Sequence, residues 1–131
     1  MFSKEKVRKK FILIRKKKYF LPKKIFFKPL INLINKKKRK KIALYYPSNY
    51  EFDTNKLFEL LKFRKNLSTL LPIISSKNSM KFIKWKLSEP LKVNKYGFLE
   101  PAIIKKNSNP DLILVPVVAY DKFYNRLGYG K

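Results

Sequence analysis

Arg126, Gly128, Gly130 and Lys131 fall within the last eleven residues, DKFYNRLGYGK, directly after an apolar run. Two cations bracketing two glycines suit a phosphate: the side chains supply charge, and a backbone with few Cβ atoms lets its amides approach the oxygens closely. Spacing alone leaves a second possibility open. The segment lacks the four residues that separate the first glycine from Gly-Lys-Ser/Thr in a Walker loop, and a lone Gly-x-Gly-Lys is also an ordinary surface turn. Glu51 and Asp53 lie in a second loop, after Pro47-Ser48-Asn49, where a carboxylate can accept from N–H donors or simply face water. The chain contains no Cys and no His, which excludes disulfides, thiolate or imidazole metal sites and the usual base near neutral pH. Chemistry must therefore rest on carboxylates, lysines, arginines and backbone amides.

These loops need elements to hold them. Ser3 can cap a helix with Val7, Phe11 and Ile14 at intervals of three and four, ended by Pro22. A second helix over Lys24 to Asn35 places Phe27, Leu30, Ile31 and Ile34 on one side, with Pro29 kinking it or marking its true start. Ile42 to Tyr46 reads as a buried strand, Thr54 as the cap of a helix facing Leu57, Leu60 and Leu61 inward, and Leu70 to Ile74 as the next strand. Met80 to Leu87 is expected to be a strand with one wet face, Asn94 to Gly97 a turn, and Asp111 to Tyr120 a central buried strand interrupted by Pro116. Strands alternating with helices predict a three-layer, Rossmann-like α/β fold, with a mostly parallel sheet flanked by helices and a ligand site at the carboxyl ends of its strands. The 131 residues fit a single domain, 1–131, and 45% hydrophobic residues are enough for a core.

The net charge of +25 is concentrated at the start, with eighteen Lys or Arg against the single acid Glu5 between Met1 and Tyr46, and a wholly basic run at Lys36 to Lys41. Such a charge fits a polyanion partner. It also fits compositional drift toward Lys, Asn, Ile, Phe and Tyr, and only five of the 33 cations are Arg, the residue suited to bidentate readout of phosphates and guanines. No apolar stretch reaches the length of a membrane span and no secretion signal is evident, so a cytoplasmic location without membrane contact is expected.

As a whole, PDLILVPVVAYDKFYNRLGYGK resembles the signature of the 5-formyltetrahydrofolate cyclo-ligase (methenyltetrahydrofolate synthetase) family, in which a VPG-hydrophobic-AFD strand leads into RLGxGxGYYD. The matching residues are Val115-Pro116, Ala119-Tyr120-Asp121, Arg126-Leu127-Gly128 and Gly130-Lys131. Three further segments are similar in order: Lys4 to Arg8 to the family's basic K-x-x-x-R helix, IALYYPSNYEFDTNKLF to its strand, glutamate loop and helix, and LLPII, Met80-Lys81-Phe82 and YGFLEP to its middle. Val117 stands where the family has glycine.

The resemblance implies a reaction in which ATP and 5-formyltetrahydrofolate give 5,10-methenyltetrahydrofolate, ADP and phosphate, with Mg2+. The formyl oxygen attacks the terminal phosphate, and N10 of the folate traps the resulting iminium before phosphate leaves. Such a site needs positive groups and positioning more than a strong base. The resemblance places Lys4, Glu5, Lys6, Val7, Arg8, Arg126, Leu127, Gly128, Tyr129, Gly130 and Lys131 at ATP, with Arg126 and Lys131 catalytic. It places Tyr45, Tyr46, Glu51, Met80 and Tyr96 at the folate. The family's loop continues beyond the position of Lys131 into Gly-Tyr-Tyr-Asp, whose aspartate is expected to serve the magnesium, and then into a strand-helix segment. The polypeptide is therefore expected to be a fragment with no metal ligand of its own, monomeric, and weakly stable and active alone. The expected partner is the small-molecule substrate and not nucleic acid; two rival expectations are a small lysine-rich nucleic-acid-binding protein and an inactive domain of the same fold.

Overall fold

The chain is described here by a computed structural model over residues 3–76 and 79–128. Ser3 opens the first helix, α1 (Lys4–Lys17), its hydroxyl accepting from the Lys6 amide at 3.2 Å. Glu5 in the first turn and Arg15 to Lys17 in the last complement the helix dipole. A 3-10 turn (Lys24–Phe27) leads into α2 (Lys28–Lys36). Pro29 falls in the first turn of α2, where its missing N–H has no intrahelical partner to lose, so it starts the helix instead of kinking it. Phe27 and Ile34 are buried, with Leu30 and Ile31 packed against the same cluster.

The strands are β1 (Lys41–Ala43), β2 (Ser68–Ser76), β3 (Ser79–Lys84), β4 (Leu91–Val93), β5 (Leu99–Pro101), β6 (Leu112–Ile113), β7 (Ala119–Tyr120) and β8 (Arg126–Leu127), with α3 (Asn55–Lys62) between β1 and β2. The main sheet has the order β3-β2-β1-β6. β1 runs parallel to β2, with Ile42 opposite Thr69, and parallel to β6, with Ile42 opposite Leu112; β3 is antiparallel to β2. This is the expected α/β architecture, a mostly parallel sheet flanked by helices. Ile42, Leu44 and Leu71 join Leu57, Phe58 and Leu61 of α3 and Trp85 in one core, with the Trp85 ring 5.1 Å from Phe58 and nearly perpendicular to it. Ala43 and Leu70 alternate to the opposite face and are equally inaccessible, so the sheet is covered on both sides. Among the described residues no helix is long and apolar enough to cross a membrane.

One expected strand is corrected. Asp111 to Tyr120 is not a central buried strand: only Leu112–Ile113 pair, at the sheet's edge, and Ala119–Tyr120 belongs to a separate hairpin with β8. Ile113 and Val115 are about half exposed and Tyr120 is three-quarters exposed. Pro116 has no N–H for a ladder and ends the pairing, and apolar content alone cannot separate an interior strand from an edge.

Asp111 fastens that edge. Its Oδ2 accepts from the amides of Lys41 at 2.9 Å and Lys40 at 3.1 Å, and its own amide donates to the Lys41 carbonyl. Those backbone bonds, with nearby Lys41 and Arg39, hold its pKa below the ordinary 3.8. A depressed carboxylate stabilises the fold above its unfolded pKa, and that contribution fades as the pH falls through the folded value. Asp111→Asn should therefore lower Tm at neutral pH, and its deficit against the parent should shrink below pH 3.8. Thermal melts across an acid series would measure both.

Candidate functional site

The carboxyl end of β1 leads into a loop whose atoms are closely specified. After β1, the Leu44 amide still donates to Leu70, and the chain then passes through Tyr45 and Tyr46 into the loop 47–53. Ser48 and Glu51 close this loop on itself: the Ser48 amide donates to Glu51 Oε2 at 2.9 Å, and the Glu51 amide donates to the Ser48 carbonyl at 3.0 Å. Glu51 is only 6% exposed, and with Thr54 it makes up the buried polar side chains of the described residues. It is thus no solvated loop acid.

Asn49 and Tyr50 adopt φ of 50° and 58°. A left-handed backbone is ordinary for Asn but costs about 1–3 kcal/mol in a bulky residue, and such strain clusters at functional loops. Aromatic contacts hold it in place. Tyr19 meets Tyr50 edge-on at 5.6 Å and Lys16 Nζ lies 5.6 Å from the Tyr50 ring, while Phe20 and Phe27 flank Phe52. Tyr45 donates its hydroxyl to the Phe52 carbonyl at 2.8 Å. Thr54 occupies the cap position of α3 as expected but does not cap with its side chain. Its hydroxyl donates to the Tyr45 carbonyl at 2.7 Å, and Asp53 Oδ1 receives the Asn55 amide instead. A fully buried hydroxyl takes the acceptor it can reach, and here that acceptor is tertiary.

Tyr45, Tyr46, Glu51 and Met80 line one cavity of about 240 Å³, walled largely by apolar side chains including Leu71, Pro72 and Phe98. Glu51, Tyr46 and Ser48 also line an adjoining cavity of about 410 Å³, which places Glu51 between the two. Tyr96 is not among the residues of the first cavity. It lines a neighbouring one with Lys92 and Ile74, and Phe98, two residues further along the same turn, takes the place at the first. The turn explains the exchange: Asn94 Oδ1 accepts from the amides of both Tyr96 and Phe98, and Gly97 has φ +82°, so the chain reverses between them. Asn94 and Glu100 line both of these cavities; neither stands out in the sequence, where Asn94 is a turn residue and Glu100 part of YGFLEP.

The glycine segment follows β7. Asp121 Oδ1 accepts from the amides of Phe123 and Asn125, and Oδ2 from the Asn125 side chain, which brings the chain back into β8 with Tyr120 opposite Arg126. The Asn125 side chain, then the amides, hold Asp121 below its usual pKa. Arg126 lines a cavity of about 340 Å³ with Val115, Val117 and Tyr120. Pro116, between the two valines, borders the 240 Å³ cavity, so one segment touches both.

α1 reaches this region: Arg8 Nε donates to the Gly128 carbonyl at 2.8 Å, and Arg15 Nη1 to the Val117 carbonyl at 3.5 Å. Residues 120 positions apart are thereby joined. Lys4, Glu5 and Lys6 are exposed in the first turn, Glu5 pairing with Lys9 at 3.1 Å, while Val7 and Leu127 are half-buried. A Cβ at Gly128 would meet no atom of the described residues within 4 Å. Tyr129, Gly130 and Lys131 lie outside the described residues. Among the described residues no three carboxylates converge into a metal site.

Residues 3–131 match the model of the 5-formyltetrahydrofolate cyclo-ligase family. A curated relative from Haemophilus influenzae, 5-formyltetrahydrofolate cyclo-ligase, is 34% identical over 106 residues, covering 76% of this chain and 56% of its own length. The chain thus spans a little over half of that relative. The solution structure of Aquifex aeolicus 5,10-methenyltetrahydrofolate synthetase superposes with a TM-score of 0.72 at 31% identity, over 98% of this chain and 68% of that one. The Mycoplasma pneumoniae 5,10-methenyltetrahydrofolate synthetase, at 23% identity and a TM-score of 0.59 over 98% and 73% of the two chains, shares the fold.

Proposed function

The chain belongs to the 5-formyltetrahydrofolate cyclo-ligase family, and from that premise we propose that it takes part in the ATP-dependent cyclisation of 5-formyltetrahydrofolate to 5,10-methenyltetrahydrofolate, releasing ADP and phosphate. The observation that carries this reading is the meeting of Tyr45, Tyr46, Glu51 and Met80 around one largely apolar cavity at the carboxyl ends of parallel strands. A flat, N–H-rich pterin calls for such a wall with a single buried acceptor. Glu51 accepts from the pterin, a carboxylate being an acceptor-only group with about four lone-pair sites. The two tyrosines and Met80 sandwich the ring, and Phe98 closes the wall.

ATP lies on the other side of Pro116, toward the glycine segment. Lys4, Lys6 and Arg8 in α1 supply charge near the phosphates; Arg126 and Lys131 meet the terminal phosphoryl group, and the amides around Gly128 donate to its oxygens. The formyl oxygen attacks the terminal phosphorus and ADP leaves. N10 then attacks the activated carbon, loses its proton, and phosphate departs. Neither step needs a strong base, in keeping with a chain that has no His. Mg2+ would enter with the nucleotide and offset charge on its phosphates. Residues 1–131 belong to a single cyclo-ligase-like domain, which acts as a cytoplasmic monomer.

Mixing the chain with magnesium-ATP and 5-formyltetrahydrofolate should give an ATP-dependent rise in the near-ultraviolet absorbance of the methenyl product. Absence of product and of any ligand-dependent rise in Tm, in this chain and in one extended past Lys131 with a relative's tail, would overturn the proposal. Arg8→Met, which removes both a phosphate cation and the bond to Gly128, should raise KM for ATP by about tenfold, or ~1.4 kcal/mol, with little change in KM for the folate. Steady-state kinetics with each substrate varied in turn would show the split.

A further inference from the structure

The opposite end of the sheet, where β1 and β2 begin and β3 ends, carries features that the cyclisation does not use. The turns 36–41 and 62–66 meet there. The Ser68 amide donates to the Lys40 carbonyl at 2.7 Å, and the Arg64 guanidinium contacts the side-chain carbonyl of Asn35. Neither turn contains an acid. Lys36 and Lys62 lie in the last turns of α2 and α3, where a cation offsets the partial negative charge of the helix end. Lys37, Lys38, Arg39, Lys40 and Lys65 exceed that need and are exposed.

Two observations set this surface apart from a merely solvated basic face. Phe63, between Lys62 and Arg64, is 84% exposed, so its ring contributes almost nothing to the core, and Lys62 Nζ lies 5.5 Å from it. Lys62 also lines a cavity of about 230 Å³ with Lys84, Lys86 and Lys105, of which Lys105 is paired with Glu89 at 2.6 Å. Trp85 forms part of the wall, and its indole N–H is buried without a hydrogen-bond partner.

An accessible aromatic ring set among cations is what a single strand of nucleic acid requires: a platform for a base, and charge along the backbone beside it. We propose that this end of the molecule binds single-stranded nucleic acid, a base stacking on Phe63 and the phosphates following Lys37 to Lys40 and Lys62 to Lys65. With 28 Lys and only five Arg in the chain, the contact is to backbone charge and is independent of sequence. It lies across the sheet from the folate cavity, so ATP and folate should not displace the strand.

The test is a fluorescence-anisotropy titration of the full chain with a short labelled oligouridine over roughly 50 to 200 mM salt. Phe63→Ala should weaken binding by about tenfold, the lower range of a lost stack, and cannot unfold the protein through its core. Combined Lys37→Gln, Lys38→Gln and Lys40→Gln should reduce the salt slope by about 2, at ~0.7 per phosphate contact. The same number of Lys→Gln changes on α1 and its C-cap, at Lys10, Lys17 and Lys18, should reduce it much less. Equal loss from both triple variants would mean that net charge binds and not this place, and would overturn the proposal. So would unchanged affinity in Phe63→Ala, equal affinity for a duplex, or Phe63-dependent binding of anionic phospholipid vesicles without binding of the oligonucleotide.

Discussion

Glu51→Gln is expected to raise the dissociation constant for 5-formyltetrahydrofolate by about ten- to a hundredfold while leaving that for ATP nearly unchanged. The substitution preserves shape, so the Ser48 amide keeps an oxygen acceptor and the loop 47–53 keeps its closure. What changes is the charge at the cavity wall, and with it one face of the group, where an NH2 would now confront pterin donors. A hydrogen bond to a charged partner contributes about 1.5–3 kcal/mol, and a buried donor left facing another donor adds its desolvation cost. At 6% exposure, water cannot make good that loss. Calorimetric titration with folate and with magnesium-ATP would measure the two constants separately, with Tm of the free variant as the control for folding. A folate constant equal to the parent's in a properly folded variant would remove Glu51 from the substrate site.

Trp85→Ala should destabilise the fold by about 3–5 kcal/mol, the usual cost of truncating a fully packed large aromatic, and so remove much of a total stability of about 5–15 kcal/mol. Trp85 is 1% exposed and presents edge contacts to Phe58 at 5.1 Å and to Tyr46 at 6.0 Å. It therefore joins α3 to the end of β3 and also backs Tyr46 in the wall of the 240 Å³ cavity. Trp85→Phe keeps a ring in that place and deletes the unpartnered indole N–H, so its cost should stay below about 1.5 kcal/mol. Urea denaturation followed by far-ultraviolet circular dichroism would rank the two. A Trp85→Ala midpoint close to the parent's would show that the ring does not hold the sheet and α3 together.

Elements dominated by local rules are legible in the sequence. Ser3 begins a helix because its hydroxyl meets an amide three residues on, and Pro29 left only a kink or a helix start, of which the structure has the start. Asn94 to Gly97 turns because its asparagine and glycine suit that geometry. Legibility fell where partners come from elsewhere in the chain. Asp111 to Tyr120 is apolar enough for a sheet interior, yet its bonds to β1 end with the Leu114 amide on the Ala43 carbonyl, and only the sheet's order makes β6 an edge. Thr54 is a good cap by type, but burial hands its hydroxyl to Tyr45. Tyr96 and Phe98 are both plausible aromatic walls, and a single left-handed glycine decides which one faces the cavity.

By itself, then, the order of residue types determined the α/β architecture, the loop that carries Glu51, the chemistry excluded by the lack of His and Cys, and the motifs that mark the family. These follow from backbone sterics, periodicity and side-chain chemistry, all of which act over a few residues. Only the tertiary structure decided that Glu51 is buried and stands between two cavities, that Arg8 meets Gly128 across the length of the chain, and that Phe63 stands clear among lysines at the far end of the sheet. Burial and long-range partnership depend on how separate elements stack, and no local pattern carries that information.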